Sequence, residues 1–383
     1  MSKNRVYNTG NMDCKVFSFF SGAGFLDLGF ENTGFDVVFA NEICSDFAYC
    51  YRYAREQMGI PSPKYGLAND DICGYLYDNT KQKVLKEQVR KERKDGNLVG
   101  FIGGPPCPDF SVAGKNKGSE GKHGVLSQIY MDLICEIKPD FFLFENVKGL
   151  WKTSKHRKFF YSLIEQAQKN GYVITYKLVN ALEYGAPQDR DRILLFGVLD
   201  KSVPEGEPID MSKFNWGMNK GKDAQYIKSL KWPDIAPFGS QTVQPPVGID
   251  EMLTVEYWFK KNDVENHPNS ADHFKPKAAL RKMESIDEGD VSRKAYKRLH
   301  RWRYSPTVAY GNNEVHWHPY KQRRLSAAEA LSLQSLPKEF VLPPDMTLSS
   351  MFKTIGNGVP YLLAQSVALA IKLFIDECIG KSK

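Results

Sequence analysis

The sequence predicts an α/β protein: a doubly wound, mostly parallel sheet with a smaller, irregular, β-rich domain after it. Three observations carry that expectation. Up to about residue 200, short apolar runs alternate with segments of helical period, the pattern of a parallel sheet wrapped by helices. From 201 to 322 the texture changes to Pro, Gly, Asn, Lys and aromatic residues without clean helical periods. Regular helix then returns, and its last segment carries an apolar stripe that needs a host surface. The expected division is 1–200 for the first domain, 201–322 for the second, 323–350 for a hinge, and 351–383 for a segment returning to the first domain.

Each element has a local reason. Val16 to Phe20 reads as a strand, Ser21 to Gly24 as a turn and Leu26 to Asn32 as a helix. Phe35 to Ala40 is a second apolar strand, and Cys44 to Met58 a helix. Leu98 to Ile102 is a strand, and Val125 to Ile137 is helical, with apolar residues at 126, 129, 133, 134 and 137. Phe141 to Phe144 is a buried strand, Lys155 to Lys169 a helix, and 172–179 and 193–199 are strands. Ser326 and Glu329 have the spacing of a capping box at the start of a returning helix. The last helix begins near Pro360, a good first-turn proline, with Leu363, Val367, Ala370 and Phe374 on one stripe.

Composition narrows the class. A chain of 383 residues with 42% hydrophobic and 25% charged residues suits a soluble globular protein with two full cores. No stretch reads as the ~20 apolar residues of a membrane span, and the polar first residues show no secretory signal. The seven cysteines, at 14, 44, 50, 73, 107, 135 and 378, are odd in number and form no C-x-x-C pair. That points to a reducing compartment and away from a disulfide framework or zinc site. The net charge of +7 favours a polyanionic partner.

The most informative stretch is Gly103-Gly104-Pro105-Pro106-Cys107-Pro108, directly after a predicted strand. Proline fixes φ and holds the preceding residue extended. The thiol therefore stands on a stiff turn at a strand's carboxyl end, where parallel sheets place ligand sites. Taken alone, such a cysteine is more often structural than nucleophilic. Gly22 and Gly24 form a strand–turn–helix junction, and Glu42 closes the next strand. An acid about 20 positions on accepts bonds from ribose hydroxyls. The full diphosphate-binding glycine pattern is missing, which favours a nucleoside ligand without phosphates. Asp71 could accept from an adenine amino group. Glu145 ends a very apolar strand, and a carboxylic acid there can donate a hydrogen bond or a proton. Arg190 and Arg192, two residues apart on an extended segment, share one face.

In this order, the motifs resemble the cytosine-C5 DNA methyltransferase family across nearly the whole chain. Phe20-Ser21-Gly22-Ala23-Gly24 resembles its first S-adenosylmethionine motif, Asn41-Glu42 the ribose-binding acid, and Asp71-Ile72 the adenine-contacting segment. Pro105-Pro106-Cys107 resembles the nucleophile loop, Glu145-Asn146-Val147 the E-N-V motif and Gln188-x-Arg190-x-Arg192 the Q-x-R-x-R motif. Arg323-Arg324-Leu325 through Pro337 resembles the ninth motif, and Gly356-Asn357-Gly358-Val359-Pro360 the tenth. Three residues depart from the pattern. Phe25 stands where many members have a third glycine, Pro108 where glutamine usually follows the cysteine, and Ser18 where an aspartate is common.

The resemblance implies the fold of S-adenosylmethionine-dependent methyltransferases and a stand-alone prokaryotic modification enzyme. It implies attack by Cys107 on C6 of a flipped cytosine, aided by Glu145, Arg190 and Arg192. It implies S-adenosylmethionine held by Phe20, Gly22, Gly24, Glu42, Asp71, Ile72, Pro105 and Asn357, with no metal. The glycine- and lysine-rich segment 111–124 would close on double-stranded DNA through Ser111, Lys115, Lys117 and Lys122. In the second domain, Arg298, Arg301 and Arg303 are expected to seek phosphate and base edges, and Thr307 to touch the DNA backbone. A cytoplasmic monomer without a membrane partner is expected. Two alternatives stay open: an RNA-cytosine methyltransferase, disfavoured because no cysteine lies between Cys135 and Cys378, and a catalytically silent DNA-binding homologue.

Overall fold

A computed structural model describes residues 13–106, 122–200, 208–240, 244–275, 283–293, 296–308, 310 and 315–378. Seven strands form one sheet: β1 (Cys14–Phe19), β2 (Phe35–Asn41), β3 (Leu67–Ala68), β4 (Leu98–Gly103), β5 (Phe141–Val147), β6 (Tyr172–Asn180) and β7 (Asp191–Leu199). Their spatial order is β3-β2-β1-β4-β5-β7-β6. The first five are parallel, and β7 runs antiparallel to both β5 and β6. Chain order reverses between β1 and β4, which opens a crevice at the carboxyl ends of the parallel strands.

The helices in this half are α1 (Phe25–Glu31), α2 (Ser45–Gln57), α3 (Cys73–Tyr77), α4 (Asn79–Lys94), α5 (Lys122–Ile137), α6 (Gly149–Lys152) and α7 (Ser154–Lys169). Side-chain alternation along the strands divides the core in two. Phe17, Phe19, Phe101 and Phe142 pack with Leu133 of α5 and Phe160 of α7 on one face. Val16, Val37, Phe141 and Leu143 pack with Phe30 of α1 on the other. The sequence reading missed α4, because only Leu85, Val89 and Glu92 of that charged helix are buried. Its start is fixed by Asp78, whose side chain accepts from the amides of Thr80 and Lys81.

Beyond β7 come α8 (Ala224–Ser229), α9 (Val255–Lys261), α10 (Ala327–Leu333), α11 (Leu348–Asn357) and α12 (Tyr361–Cys378). The expected β-rich character of 201–322 is corrected here. Among the described residues of that segment there is no strand, only isolated bridges such as Ala236 with Glu288 and Arg298 with Trp317. Aromatic residues there form small clusters around Trp317 and Trp232 rather than cross-strand ladders.

The helical return follows the sequence closely. Glu329 N donates to Ser326 Oγ at 3.2 Å and Ser326 N donates to Glu329 Oε2 at 2.8 Å, so both halves of the capping box form. The stripe Leu363, Val367, Ala370 and Phe374 is buried against the sheet beside α1. Contact is close: a Cβ on Gly29 would lie 2.6 Å from Ala364 Cβ. The stretch Leu348–Cys378 has the length and apolarity of a membrane span, yet 72% of its most apolar window is buried inside the protein. It is a core element.

Candidate active site

Four parallel strands bring their carboxyl ends to the crevice. After β1, Phe20 has φ of 55° and Gly22 and Gly24 have φ of 56° and 85°. Glycine takes this left-handed backbone without steric cost. Nothing lies within 4 Å of a Cβ added to Gly22, so one side of the turn is open, whereas at Gly24 the Tyr51 ring would be 2.9 Å away. Glu42, just past β2, is buried and accepts from Gly22 N at 2.9 Å and from Cys44 N at 2.8 Å. Burial raises its carboxyl above the ordinary value, and the backbone amides partly offset this. Each oxygen retains acceptor capacity for a further donor. An open glycine turn facing an anchored carboxylate fits a nucleoside with ribose hydroxyls.

Neighbouring residues complete that edge. Asn41 Nδ2 donates to Asp70 O and Asp70 Oδ1, both at 2.9 Å, and Asn69 Nδ2 donates to Glu42 O at 2.7 Å. Asp71 is exposed and accepts from Cys73 N at 2.9 Å. The Ile72 side chain is packed into the core with Phe19 and Phe39. Phe20 is half-buried, edge-on to Tyr130 at 5.9 Å.

The second carboxylate sits at the end of β5. Glu145 is buried and pairs with Arg192 Nε at 2.6 Å. Strand register produces the pair: Arg192 lies opposite Val147, so its side chain reaches diagonally back to Glu145. The backbone after β4 runs against the same carboxylate. A Cβ on Gly104 would sit 2.6 Å from Glu145 Oε2, so any larger residue here would displace the carboxylate. Asn146 Nδ2 donates to Pro105 O at 3.3 Å. Glu145 and Asn146 thus brace the turn that leads into Cys107. Cys107 itself, with Pro108, Ser111, Lys115 and Lys117, lies outside the described residues.

Arg190 behaves differently from Arg192. It is 1% exposed and donates to Val308 O and Gly356 O, each at 2.8 Å, and to Gln188 Oε1 at 3.3 Å. Burial, then the charge of Arg192, lowers its pKa well below the arginine range. Its guanidinium is engaged by the carbonyls of Val308 and Gly356, and it is Arg192 that pairs with the Glu145 carboxylate. Gln188 extends the knot, accepting from Val308 N at 3.0 Å and donating to Leu333 O at 3.1 Å. The sequence motif therefore divides into a joint, Gln188 and Arg190, and a site residue, Arg192. The tenth-motif segment is drawn in by the same joint. Asn357 is exposed beside it, while Gly358 lies against Phe25, where a Cβ would meet the ring at 2.0 Å. Phe25, the departure from the usual third glycine, fills the space between Gly358 and Phe340.

The family model for C-5 cytosine-specific DNA methylases matches residues 14–373. The chain belongs to the C-5 cytosine-specific DNA methylase family. A type II methyltransferase of Neisseria meningitidis serogroup C, M.NmeDI, is 55% identical over 368 residues, covering 96% of this chain and 86% of that protein. M.FnuDI of Fusobacterium nucleatum is 30% identical, covering 94% of each. Among solved structures, a putative DNA modification methyltransferase of an Escherichia coli prophage superposes with a TM-score of 0.63 at 23% identity, covering 95% of this chain and all of that one. That likeness shows the fold. The chain is a DNA (cytosine-5) methyltransferase, and the family implies S-adenosylmethionine as methyl donor.

The methyltransferase's basic segment is not arranged as the sequence suggested. Arg298 is fully buried, donating to Ile286 O at 2.7 Å, His318 O at 2.6 Å, Lys321 O at 3.3 Å and Met283 O. Burial brings its pKa down to about 10. Arg301 is paired with the buried Glu288, through Nε and Nη2 at 2.8 Å each, and lies over the Tyr320 ring. The expectation that these two seek phosphate is corrected, because both guanidinium groups are spent inside the fold. Arg303 is half-buried and donates to Pro233 O at 2.5 Å. Thr307 is exposed, its hydroxyl donating to Asp189 O at 2.5 Å. Lys122 opens α5, and its side chain lies outside the described residues. Among the described residues no cluster of His, Cys, Asp and Glu could hold a metal ion.

Proposed function

We propose that the chain methylates a cytosine flipped out of duplex DNA by covalent catalysis, with Cys107 as nucleophile. The observation that carries this reading is the Glu145 carboxylate, buried, paired with Arg192 and pressed against Gly104 at the entrance to the Cys107 turn. S-adenosylmethionine, when bound, supplies the methyl group. The chain's own residues prepare the acceptor. The Cys107 thiolate adds to C6 and makes C5 nucleophilic. Glu145 holds a proton at cytosine N3 and draws off the charge that develops during attack. Arg192 fixes the orientation of Glu145, and Arg190 fixes the strand entry that carries Arg192. Loss of the C5 proton then expels the thiolate. Glu42, Gly22 and Gly24 with Phe20 are the proposed cofactor cradle, joined by Asp71, Ile72, Pro105 and Asn357.

The segment 201–322 is the proposed target-recognition domain, with 323–350 as hinge. Ser111, Lys115, Lys117, Lys122, Arg303 and Thr307 are the proposed DNA contacts, and extrusion of the base answers the burial of C6 in the stack. The similarity to type II methyltransferases supports a DNA-modification role. The deciding experiment is methyl transfer from labelled cofactor to DNA, with a duplex containing 5-fluorocytosine as a covalent trap. The wild type is expected to label DNA and to be trapped, and Cys107→Ser to do neither. Wild-type turnover by Cys107→Ser overturns the assignment.

A further inference from the structure

Behind the cofactor turn, and unused by the mechanism, a chain of buried polar side chains joins β1, α1 and α2. Asp27, in the first turn of α1, has no solvent exposure. Its Oδ1 accepts from Ser18 Oγ at 2.7 Å and its Oδ2 from Tyr51 OH at 3.0 Å. The Tyr51 hydroxyl also accepts from Arg55 Nη1 at 3.3 Å. Arg55 grips both oxygens of Glu31, at 2.9 and 2.7 Å, and the carbonyl of Pro61. Asp27 and Glu31 are one turn apart on α1, and Tyr51 and Arg55 one turn apart on α2. Two successive rungs therefore clamp the helices together.

We propose that Ser18, Asp27 and Tyr51 are positioning residues for S-adenosylmethionine, holding the Gly22–Gly24 turn from behind as Glu42 holds it from the front. The proposal rests on the cofactor reading given above. Three observations carry it. The Tyr51 ring is the floor of the turn, since a Cβ on Gly24 would come within 2.9 Å of it. The Asp27 bond anchors the hydroxyl end of that ring and so fixes where the ring lies, so the carboxylate acts on the turn through Tyr51. A buried carboxylate is costly to keep unless its bonds serve a purpose, and an apolar residue would fill the same helix face for packing alone.

The third observation concerns Ser18. It stands on β1 where the family resemblance leads one to expect an aspartate. The structure places a carboxylate at the same junction, contributed by α1 and bonded to the Ser18 hydroxyl. One hydrogen bond joins hydroxyl and carboxylate across the junction, with the hydroxyl on β1 and the carboxylate on α1. The pair is therefore expected to work in either orientation, and to fail when one member alone is changed.

The test measures S-adenosylmethionine affinity by calorimetry and steady-state methyl transfer to DNA, with thermal melting as a control for folding. Asp27→Asn replaces one of the two acceptor oxygens by an amide donor facing a hydroxyl, removes the charge, and is expected to raise the cofactor KM and Kd by about tenfold, the scale of one bond to a charged group. Its kcat at saturating cofactor should change less. Tyr51→Phe, which keeps the ring and loses the bond, should show a smaller shift of the same kind and decides the matter if Asp27→Asn does not fold. The exchanged double variant Ser18→Asp/Asp27→Ser should recover most of the affinity lost by either single change. Glu42→Ala is the reference. If Glu42→Ala weakens binding while Asp27→Asn and Tyr51→Phe leave it unchanged, the positioning role is overturned and the cofactor reading stands. If Glu42→Ala also leaves binding unchanged, both are overturned. A double variant no better than Asp27→Asn overturns the exchange.

Discussion

Two arginine-rich segments of this methyltransferase look alike on paper and are used in opposite ways. In 188–192, Arg190 and Arg192 alternate with aspartates, and in 298–303, Arg298, Arg301 and Arg303 alternate with aromatics. The first segment enters the crevice, and one of its arginines meets the Glu145 carboxylate there. The second turns inward. Arg298 is spent on backbone carbonyls and Arg301 on Glu288. Arg190 and Arg298 are the same device in both regions: a buried guanidinium whose planar fork gathers carbonyls from segments distant in sequence. A run of arginines is thus evidence of nucleic-acid contact only after the internal acceptors within reach have been counted.

The sharpest way to break this comparison is to remove Arg298. Arg298→Ala leaves several buried carbonyls without a donor and should cost about 3–5 kcal/mol of unfolding free energy. Urea denaturation measures this. DNA affinity per folded molecule should stay at the wild-type level, with an unchanged salt slope. A stable variant with weakened DNA binding would place Arg298 on the DNA surface after all.

Much of the site was legible in the sequence, and the reasons are local. Strand ends follow from apolar runs, so Glu42, Gly104 and Glu145 could be assigned to carboxyl ends of a parallel sheet. The turn glycines announce their backbone, and the Ser326–Glu329 spacing announces a cap that the structure closes on both sides. What the sequence concealed depends on long-range partners. Arg190 finds its acceptors at Val308 and Gly356, and Arg298 finds one at His318. Asp27 looks like an ordinary acid in the first turn of a helix, and only the packing of α1 between β1 and α2 shows that it is buried. The β-leaning reading of 201–322 failed because aromatic, proline-rich segments can be held by isolated bridges and small clusters without forming a ladder.

Asp27 extends the comparison to a buried charge of the other sign. Burial lifts its carboxyl from 3.8 to about 6. The folded state therefore binds the proton more tightly than the unfolded chain, so this group's contribution to stability is fully present below about pH 4. It is lost as the pH rises through about 6, and the difference is about 3 kcal/mol. Asp27→Asn should flatten the pH dependence of unfolding free energy across that window. A wild-type slope in the variant would mean that the protons come from other groups.

Arg192 should show the opposite balance to Arg298. Arg192→Lys keeps a positive charge near Glu145 but loses the guanidinium geometry that fixes the carboxylate. The expected result is a fall in kcat of about tenfold to a hundredfold, on the scale of one misplaced proton-handling group, with a melting temperature close to wild type. Equal losses of stability and activity would make Arg192 another scaffold arginine, like Arg190.

The smallest effect is expected at Arg303, the member of the second segment that keeps partial exposure. Its Nε is bonded to Pro233 O, and burial lowers its pKa below the ordinary arginine value. Among the described residues no buried carboxylate grips it as Glu288 grips Arg301. If it meets a phosphate, Arg303→Ala should weaken cognate and scrambled duplexes alike and lower the slope of log K against log salt by about one unit. Stability should change little. If instead the loss is confined to the cognate duplex, Arg303 reads a base edge, and about 1–3 kcal/mol of discrimination should disappear with it. If neither affinity nor slope moves, the 298–303 segment is scaffold throughout. The proposed DNA contact in this part of the chain would then narrow to Thr307, which is exposed and held beside Asp189 at the end of the Gln188–Arg190 joint.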